Sequence, residues 1–187
     1  MIKEGDLKWK TFEKEIEQIS NPGVKDWVKN TLNNTPDYFF SAAASSTGKY
    51  HPACTIKEGG LIVHVKRAFY IAERLCRGWD IIGTERDIVL AAIILHDIAK
   101  TGRGQGSYED YENHPLNAEK YFAENNVPGL VSTINGCIRH HMGLWTPESI
   151  KKPLADYTLV ELAVYTSDYM SATKDLITPE DELSERK

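Results

Sequence analysis

The sequence of 187 residues has few cysteines and no long apolar stretch. The three cysteines, Cys54, Cys76 and Cys137, are scattered and odd in number, and none belongs to a C-x-x-C pair, so neither a disulfide framework nor a zinc knuckle is expected. The longest apolar run, residues 88–95, is much shorter than the ~20 residues of a membrane-spanning helix. The amino terminus lacks the apolar core of a secretion signal. These absences predict a soluble, cytoplasmic protein that does not enter a membrane.

The chain also lacks a basic excess. Its formal net charge is −5, which argues against broad, sequence-blind binding to nucleic acid, because such binding depends on Lys and Arg. The glycine-rich segment 104–106 is not a phosphate-binding P-loop, since no GK[ST] follows it. A hydrophobic content of 41% is ordinary for a globular protein, and the length predicts one domain with a substantial core.

No alternating strand pattern, repeat or low-complexity run is present, whereas helical periodicity recurs throughout. The sequence therefore predicts an all-α fold. The helices are expected at residues 9–20, 23–36, 36–45, 59–79, 84–100, 114–126, 127–143 and 157–176.

These helices suggest three regions. Residues 1–35 form an amino-terminal helical extension that packs on the core, 36–175 form the main domain, and 176–187 form a charged, flexible tail. Trp9, Phe12 and Trp27 of the extension either cover the core or form an interface in a homo-oligomer.

Ionisable residues stand where the helices are most apolar. His96 and Asp97 follow the segment 88–95, which is apolar on all sides and is therefore expected at the centre of the fold. His64 lies on the apolar face of its helix, and Asp168 follows an apolar strip at four-residue steps. His140 and His141 end a helix with an apolar strip, and His114 lies at the start of another helix. Two aspartates and four or five histidines are thus expected to face inward.

Burying a carboxylate costs several kcal/mol unless it is paired or bound to a metal. A lone histidine on an apolar face is most often a satisfied core residue, and Asp97 could pair with Lys100. One shared cation explains all the inward residues together, whereas the alternative needs a separate partner for each. Imidazole and carboxylate ligands suit Mn, Fe, Co, Ni or Zn. The spacing alone leaves both interpretations open.

The order of these residues resembles the H…HD…D signature of the HD-domain metal-dependent phosphohydrolases. The segments that carry the resemblance are EGGLIVHVKRA (58–68), LHDIAK (95–100) and YTSDYMSA (165–172), and the similarity covers residues 36–173. It implies a compact helical bundle with a metal site between central helices. It also implies an enzyme that hydrolyses phosphate ester or anhydride bonds.

Two further segments, ENHPLNAEKYF (112–122) and IRHH (138–141), are similar to elements of HD proteins that hold two metals. The resemblance implies a first ion on His64, His96, Asp97 and Asp168, with Asp97 bridging to a second ion on His114 and His140. Whether one or two ions bind is left open, and His114 could instead cap a helix. The sequence itself does not choose between His140 and His141. The resemblance makes His140 the ligand and gives His141 a role facing phosphate or supporting a ligand.

Lys100 and Asp97 are expected to act in catalysis. Lys100, one turn after His96, is expected to offset phosphate charge. The residues expected to contact substrate are His141, Arg103, Lys49, His51 and Trp145, the last by stacking on a base. Each has a simpler interpretation as a surface or packing residue.

Two cations close together favour phosphoester or phosphoanhydride hydrolysis. The expected lack of room for an accompanying RNA-binding domain and the net negative charge favour a small phosphorylated substrate, such as a nucleotide or dinucleotide, over a polymer. The alternatives are an exonuclease or phosphodiesterase acting on short single-stranded nucleic acid, and a metal-dependent nucleotide sensor without catalysis.

Overall fold

The computed structural model describes residues 7–45, 48–100, 112–125 and 127–179. These residues form eight α-helices and five 3-10 helices and contain no strand, so the all-α prediction is confirmed. The α-helices are α1 (Glu13–Ile16), α2 (Pro22–Asn34), α3 (Tyr38–Ser41), α4 (Gly60–Gly78), α5 (Gly83–Leu95), α6 (His114–Asn117), α7 (Val131–His140) and α8 (Leu159–Ser171). The 3-10 helices are Lys8–Phe12, Ala53–Thr55, Ala118–Tyr121, Gly143–Trp145 and Leu154–Asp156.

Helix α5 is the centre of the fold. Every residue from Ile88 to Leu95 is buried, as expected for a segment that is apolar on all sides. It packs against α2, α4, α7 and α8, and α8 in turn packs against α4 and α7. The carboxyl end of α5 is therefore surrounded by helices, and any polar group there must find its partners inside the protein.

The start of α4 depends on two adjacent glycines. Gly59 has φ of +72°, a left-handed conformation that glycine adopts at low cost. A Cβ at Gly60 would collide with the backbone carbonyl of Thr55. The backbone N–H groups of Gly59 and Leu61 donate to the carbonyls of Ser41 and Ala42. The loop before α4 is thus held closely against the helix that carries His64.

The amino-terminal helices share the core of the other helices. Phe12 and Trp27 are fully buried, and Trp9 packs against the same core, so these aromatic side chains cover the core. Asp87 of α5 accepts hydrogen bonds from the backbone N–H groups of Ser20 and Asn21, at 2.9 and 2.7 Å. The boundary predicted at residue 35 stays a prediction.

The helix predicted over 114–126 is wrong in its length, because α6 ends at Asn117 and only a 3-10 turn follows. Side chains of α2 hold the backbone of Ala123 instead. Trp27 Nε1 donates to the Ala123 carbonyl, and Thr31 Oγ1 accepts from its N–H, both at 3.1 Å. Tertiary contacts thus override the helical periodicity.

The helix predicted over 157–176 ends at Ser171. After this helix, the buried guanidinium group of Arg67 donates hydrogen bonds to the backbone carbonyls of Ser171, Thr173 and Leu176. Of the predicted tail, residues 180–187 lie outside the described residues. No helix within the described ranges is long and apolar enough to cross a membrane.

Candidate metal centre

His96 and Asp97 follow the last residue of α5, and both are fully buried. The backbone tightens there, since Ile98 N–H donates to Leu95 and Lys100 N–H to Asp97, each three residues back. Adjacent side chains on a helical backbone diverge by about 100°. The two residues therefore enter the same polar cluster from different sides.

The first ligand group consists of His64 from α4, His96, and Asp168 from α8. Asp168 Oδ1 lies 2.9 Å from His64 Nε2 and 3.4 Å from His96 Nε2. The two Nε2 atoms are 3.4 Å apart. Asp97 Oδ2 is 3.5 Å from each of them. One atom from each of His64, His96 and Asp168 lies within 4.8 Å of the others, a spacing that a single metal ion could span.

Asp97, His114 and His141 form a second group of side chains, which we call the second ligand group. Asp97 and His141 also belong, with His96, to a set whose ligand atoms lie within 4.8 Å of one another. Asp97 Oδ1 lies 3.1 Å from His114 Nε2 and 3.7 Å from His141 Nε2, and the two imidazole nitrogens are 3.1 Å apart. This oxygen is buried and accepts no hydrogen bond from the described residues. Asp97 therefore presents one oxygen to each of the two groups.

Backbone carbonyls orient two of the imidazoles. His96 Nδ1 is 2.7 Å from the carbonyl of Ile93, and His141 Nδ1 is 2.6 Å from that of Ile138. Because a carbonyl only accepts, Nδ1 carries the proton in both rings. In the neutral ring, Nε2 then presents a lone pair to the cluster. This is the usual way in which proteins prepare a histidine to bind metal.

Ser171 orients the third imidazole. Its hydroxyl donates to the Asp168 carbonyl at 2.8 Å and lies 3.0 Å from His64 Nδ1. Because the hydroxyl proton is directed at the Asp168 carbonyl, the hydroxyl oxygen accepts a hydrogen bond from His64 Nδ1–H. Nε2 of His64 therefore also faces the cluster with a lone pair. Facing lone pairs repel unless a proton or a cation lies between them. The residues present therefore fit a metal ion.

The charges of the cluster favour a cation. Burial alone would lower the pKa of His96, but the carboxylates of Asp97 and Asp168 raise it to about 10. Burial lowers the pKa of His64, and lowers that of His141 to about 3. Without an ion, one proton on His96 thus supplies positive charge at the centre of the cluster.

The two carboxylates remain ionised. Burial alone would raise the pKa of Asp97, but Lys100 and His96 hold it well below its usual range. His64 and His96 do the same for the pKa of Asp168. Lys100 Nζ donates to Asp97 Oδ2 at 2.9 Å, and its side chain is mostly buried. A buried ammonium group therefore lies beside the cluster.

His140 does not enter this cluster, and the preference for it over His141 is corrected. Its Nδ1 lies 2.8 Å from Glu161 Oε1, and its Nε2 lies 3.1 Å from the carbonyl of Ile150. The physical reason is helical geometry, because His141 is seven residues after buried Ile134 and four after buried Cys137. His141 therefore continues the inner face of α7, whereas His140 does not.

The other residues expected to contact substrate lie at different depths. The ring of His51 is 5.4 Å from that of His64, and its buried Nδ1 has no hydrogen-bond partner among the described residues. Burial, with the charges of His64 and Lys100, lowers the pKa of His51 to about 3. Lys49 is exposed beside Tyr50. Arg103 lies outside the described residues.

Trp145 is 63% exposed and stacks on Tyr169, with ring centroids 6.3 Å apart and an interplanar angle of 13°. Tyr169 follows Asp168 of the first ligand group in the chain. Sequence reasoning missed Tyr169 and Ser171. Ser171 could have been found, because a residue three after Asp168 shares its helix face.

Comparison with protein families gives one match. A family model described as the HD domain matches residues 61–173, which is more than half of the chain. Comparisons with curated proteins and with solved structures give no matching protein. The matched range includes both ligand groups, all of α4 except Gly60, and the whole of α5, α7 and α8.

Proposed function

The chain belongs to the HD-domain superfamily of metal-dependent phosphohydrolases, and on that premise we propose that it is an active hydrolase of phosphoester or phosphoanhydride bonds. The observation that carries this proposal is the convergence of the two ligand groups on Asp97, one on each carboxylate oxygen. A sensor that only binds a nucleotide needs no such pair of groups.

We assign the first ion to His64, His96, Asp97 and Asp168. The second ion is assigned to Asp97, His114 and His141. The ligand set of imidazole and carboxylate suits Mn, Fe, Co, Ni or Zn. Orientation of three rings through Nδ1 supports this assignment, because it leaves Nε2 of each ring available to a cation.

When bound, divalent ions supply the acidity that activates water near neutral pH and the charge that stabilises phosphoryl oxygens. Two side chains of the protein are proposed to contact the substrate's oxygen atoms. Lys100 brings a buried positive charge to the cluster, where it can pair with a phosphoryl oxygen. The ring of His51 lies beside His64, and its buried Nδ1 has no hydrogen-bond partner in the described part of the chain, so this ring can hydrogen-bond a substrate oxygen.

A nucleotide or dinucleotide is the substrate class that we favour. Trp145 and Tyr169 present exposed, nearly parallel rings, and Tyr169 follows Asp168 in the chain, so we propose that a base attached to the reacting phosphate stacks there. Stacking of a base on an aromatic side chain is worth about 1–3 kcal/mol. We therefore expect Trp145→Ala to raise KM for a nucleoside phosphate without changing kcat, and to leave hydrolysis of pyrophosphate unchanged.

The experiment that tests the function is hydrolysis of a substrate panel by the purified protein with Mn²⁺ supplied. The panel contains nucleoside mono- and triphosphates, cyclic and dinucleoside phosphates, and short single-stranded RNA and DNA. Asp97→Asn tests the site, and Asp26→Asn on the exposed surface of α2 is the matched control.

Turnover of one class that is lost in Asp97→Asn and kept in Asp26→Asn supports the proposal and identifies the substrate. Turnover of only the oligonucleotides would replace the small-substrate proposal by a nuclease. No turnover of any member, with metal bound, would contradict catalysis and favour the nucleotide-sensing alternative.

A further inference from the structure

The second histidine of the IRHH segment has a place in the ligand cluster, which raises the question of what the first one does. The ring of His140 lies between two acceptors, with Glu161 Oε1 2.8 Å from Nδ1 and the Ile150 carbonyl 3.1 Å from Nε2. Both ring nitrogens thus face oxygen atoms away from the metal cluster. The ring joins the end of α7 to the start of α8.

Glu161 is the common partner of this arrangement. It forms a capping box with Thr158, accepting from the threonine N–H at 2.8 Å and from Oγ1 at 2.9 Å. It also accepts from Lys152 Nζ at 2.8 Å on both oxygens. A capping box requires only the threonine. The contacts to His140 and Lys152 go beyond what is needed to start α8.

The backbone of His140 is held as well as its ring, because Tyr157 Oη donates to the His140 carbonyl at 2.9 Å. The next residue is His141, whose ring enters the second ligand group. Asp168 of the first ligand group lies about two turns further along α8 from Glu161. Fixing His140 to Glu161 therefore fixes the end of α7 relative to the helix that carries Asp168.

We propose that His140 is a positioning residue, which holds His141 in the second ligand group through its hydrogen bond to Glu161. This inference rests on the proposed function, since it concerns how the same metal site is assembled. His140 touches neither ligand group, so it acts through the backbone that it shares with His141. Loss of supporting contacts around metal ligands typically costs about 10- to 100-fold in metal affinity.

The test compares four variants. His140→Ala removes both ring contacts. His140→Asn places its amide nitrogen at the δ position, where it can still donate to Glu161, whereas His140→Gln places it at the ε position, towards Ile150. Lys152→Met is the matched control, because it removes a partner of Glu161 without changing α7.

Two measurements report on the metal site in each variant. The first is Mn²⁺ affinity and stoichiometry by calorimetric titration. The second is the ¹⁵N spectrum of the His141 ring in the metal-free protein, which reports whether Nδ1 alone carries the proton. The unfolding free energy is measured beside them to separate positioning from a general loss of stability.

We expect His140→Ala to weaken binding of the second ion by about tenfold or more and to give His141 a mixture of tautomers. His140→Asn should restore most of the affinity, His140→Gln little of it, and Lys152→Met should change only the unfolding free energy. If His140→Ala does not fold, the difference in second-ion affinity between the His140→Asn and His140→Gln variants tests the positioning role instead.

Unchanged second-ion affinity and an unchanged His141 spectrum in His140→Ala would overturn the positioning role. Equal effects of Asn and Gln, or a Lys152→Met variant that weakens the second ion equally, would also overturn it. If the wild-type protein binds no metal, the proposed function fails, and the His141 tautomer still tests His140 independently.

Discussion

Two pairs of adjacent residues lie at the ends of two core helices and are used differently. His96 and Asp97 follow α5, and both are fully buried and enter the ligand cluster. His140 and His141 lie at the end of α7, where only His141 enters the cluster and His140 bonds to Glu161. The two helices differ in their surroundings. Helix α5 is enclosed on all sides, whereas α7 has one face against the core and another towards the surface.

The difference shows what determines the role of a polar pair. At the end of an enclosed helix, both side chains of a pair must find partners inside the protein, so both contribute to one polar cluster. At the end of a helix with one buried face, successive side chains diverge by about 100° and only one continues that face. The other is then available for a supporting contact.

The largest expected effect comes from Asp97→Asn. The substitution removes the carboxylate that lies between the two ligand groups. Lys100 loses its ion-pair partner at 2.9 Å, and protonated His96 loses one of its two neighbouring carboxylates. We expect loss of both bound ions and a decrease of about 3–5 kcal/mol in the unfolding free energy of the metal-free protein. Metal analysis and urea denaturation measure the two effects. Normal metal content in this variant would contradict the bridging assignment.

A smaller effect, confined to one ion, is expected from His141→Ala. The first ligand group does not contain this residue, so it should keep its ion, while affinity for the second ion should fall by more than about 100-fold. Titration of both His141→Ala and His140→Ala with Mn²⁺ measures how much affinity for the second ion is lost in each variant. A larger metal loss in His140→Ala than in His141→Ala would reverse the assignment made here.

The pH dependence of metal binding distinguishes His96 from His141. The pKa of His96 is raised from 6.5 to about 10, so its proton must leave before the ring can bind an ion. The pKa of His141 is lowered to about 3, so that ring is already neutral. Metal affinity should therefore rise by up to about tenfold per pH unit between neutral pH and about 10.

Calorimetric titration in buffers of different ionisation enthalpy measures the protons released. We expect release of the His96 proton in the wild type and the same release in His141→Ala. The stability of the metal-free protein changes with pH in the opposite direction to the metal affinity. The stabilisation from protonated His96 is fully present below pH 6.5 and is lost as pH rises through about 10. Metal binding without proton release at neutral pH would contradict the charge state given to His96.

The smallest effect concerns Glu161, the partner of His140. Its partners, chiefly Lys152, overcome its burial and lower its pKa from 4.5 to about 2. Its contribution to stability is therefore present above pH 4.5 and is lost as pH falls through about 2. We expect Glu161→Gln to be less stable than the wild type near neutral pH and this difference to shrink below pH 4.5. A difference that stays constant down to pH 2 would contradict the ionised state of Glu161.

Much of the fold could be predicted because the long helices carry strong apolar periodicity. The run from Ile88 to Leu95 predicts a buried central helix, and its polar end predicts a cluster. The segment after α6 could not be predicted, because side chains 92 and 96 residues away in the chain hold the backbone of Ala123. Local periodicity contains no information on such contacts.

The site shows the same limit. Spacing suggested that His64, His96, Asp97 and Asp168 face inward, but their convergence depends on how α4, α5 and α8 pack. The choice of His140 followed family resemblance, although Ile134 and Cys137 indicate His141 at helical spacing. The role of Glu161 could be read in part, because T-x-x-E before an apolar run predicts a capping box, but its contact with His140 is tertiary.

The central claim is that Asp97 joins two metal sites. Crystals of the protein grown or soaked with Mn²⁺ would test it most directly, through anomalous diffraction at the manganese edge. The account predicts two anomalous peaks, one on each side of the Asp97 carboxylate, with His141 beside the second peak and His140 beside neither. The absence of any peak in the cluster, or a peak bound by His140, would contradict it.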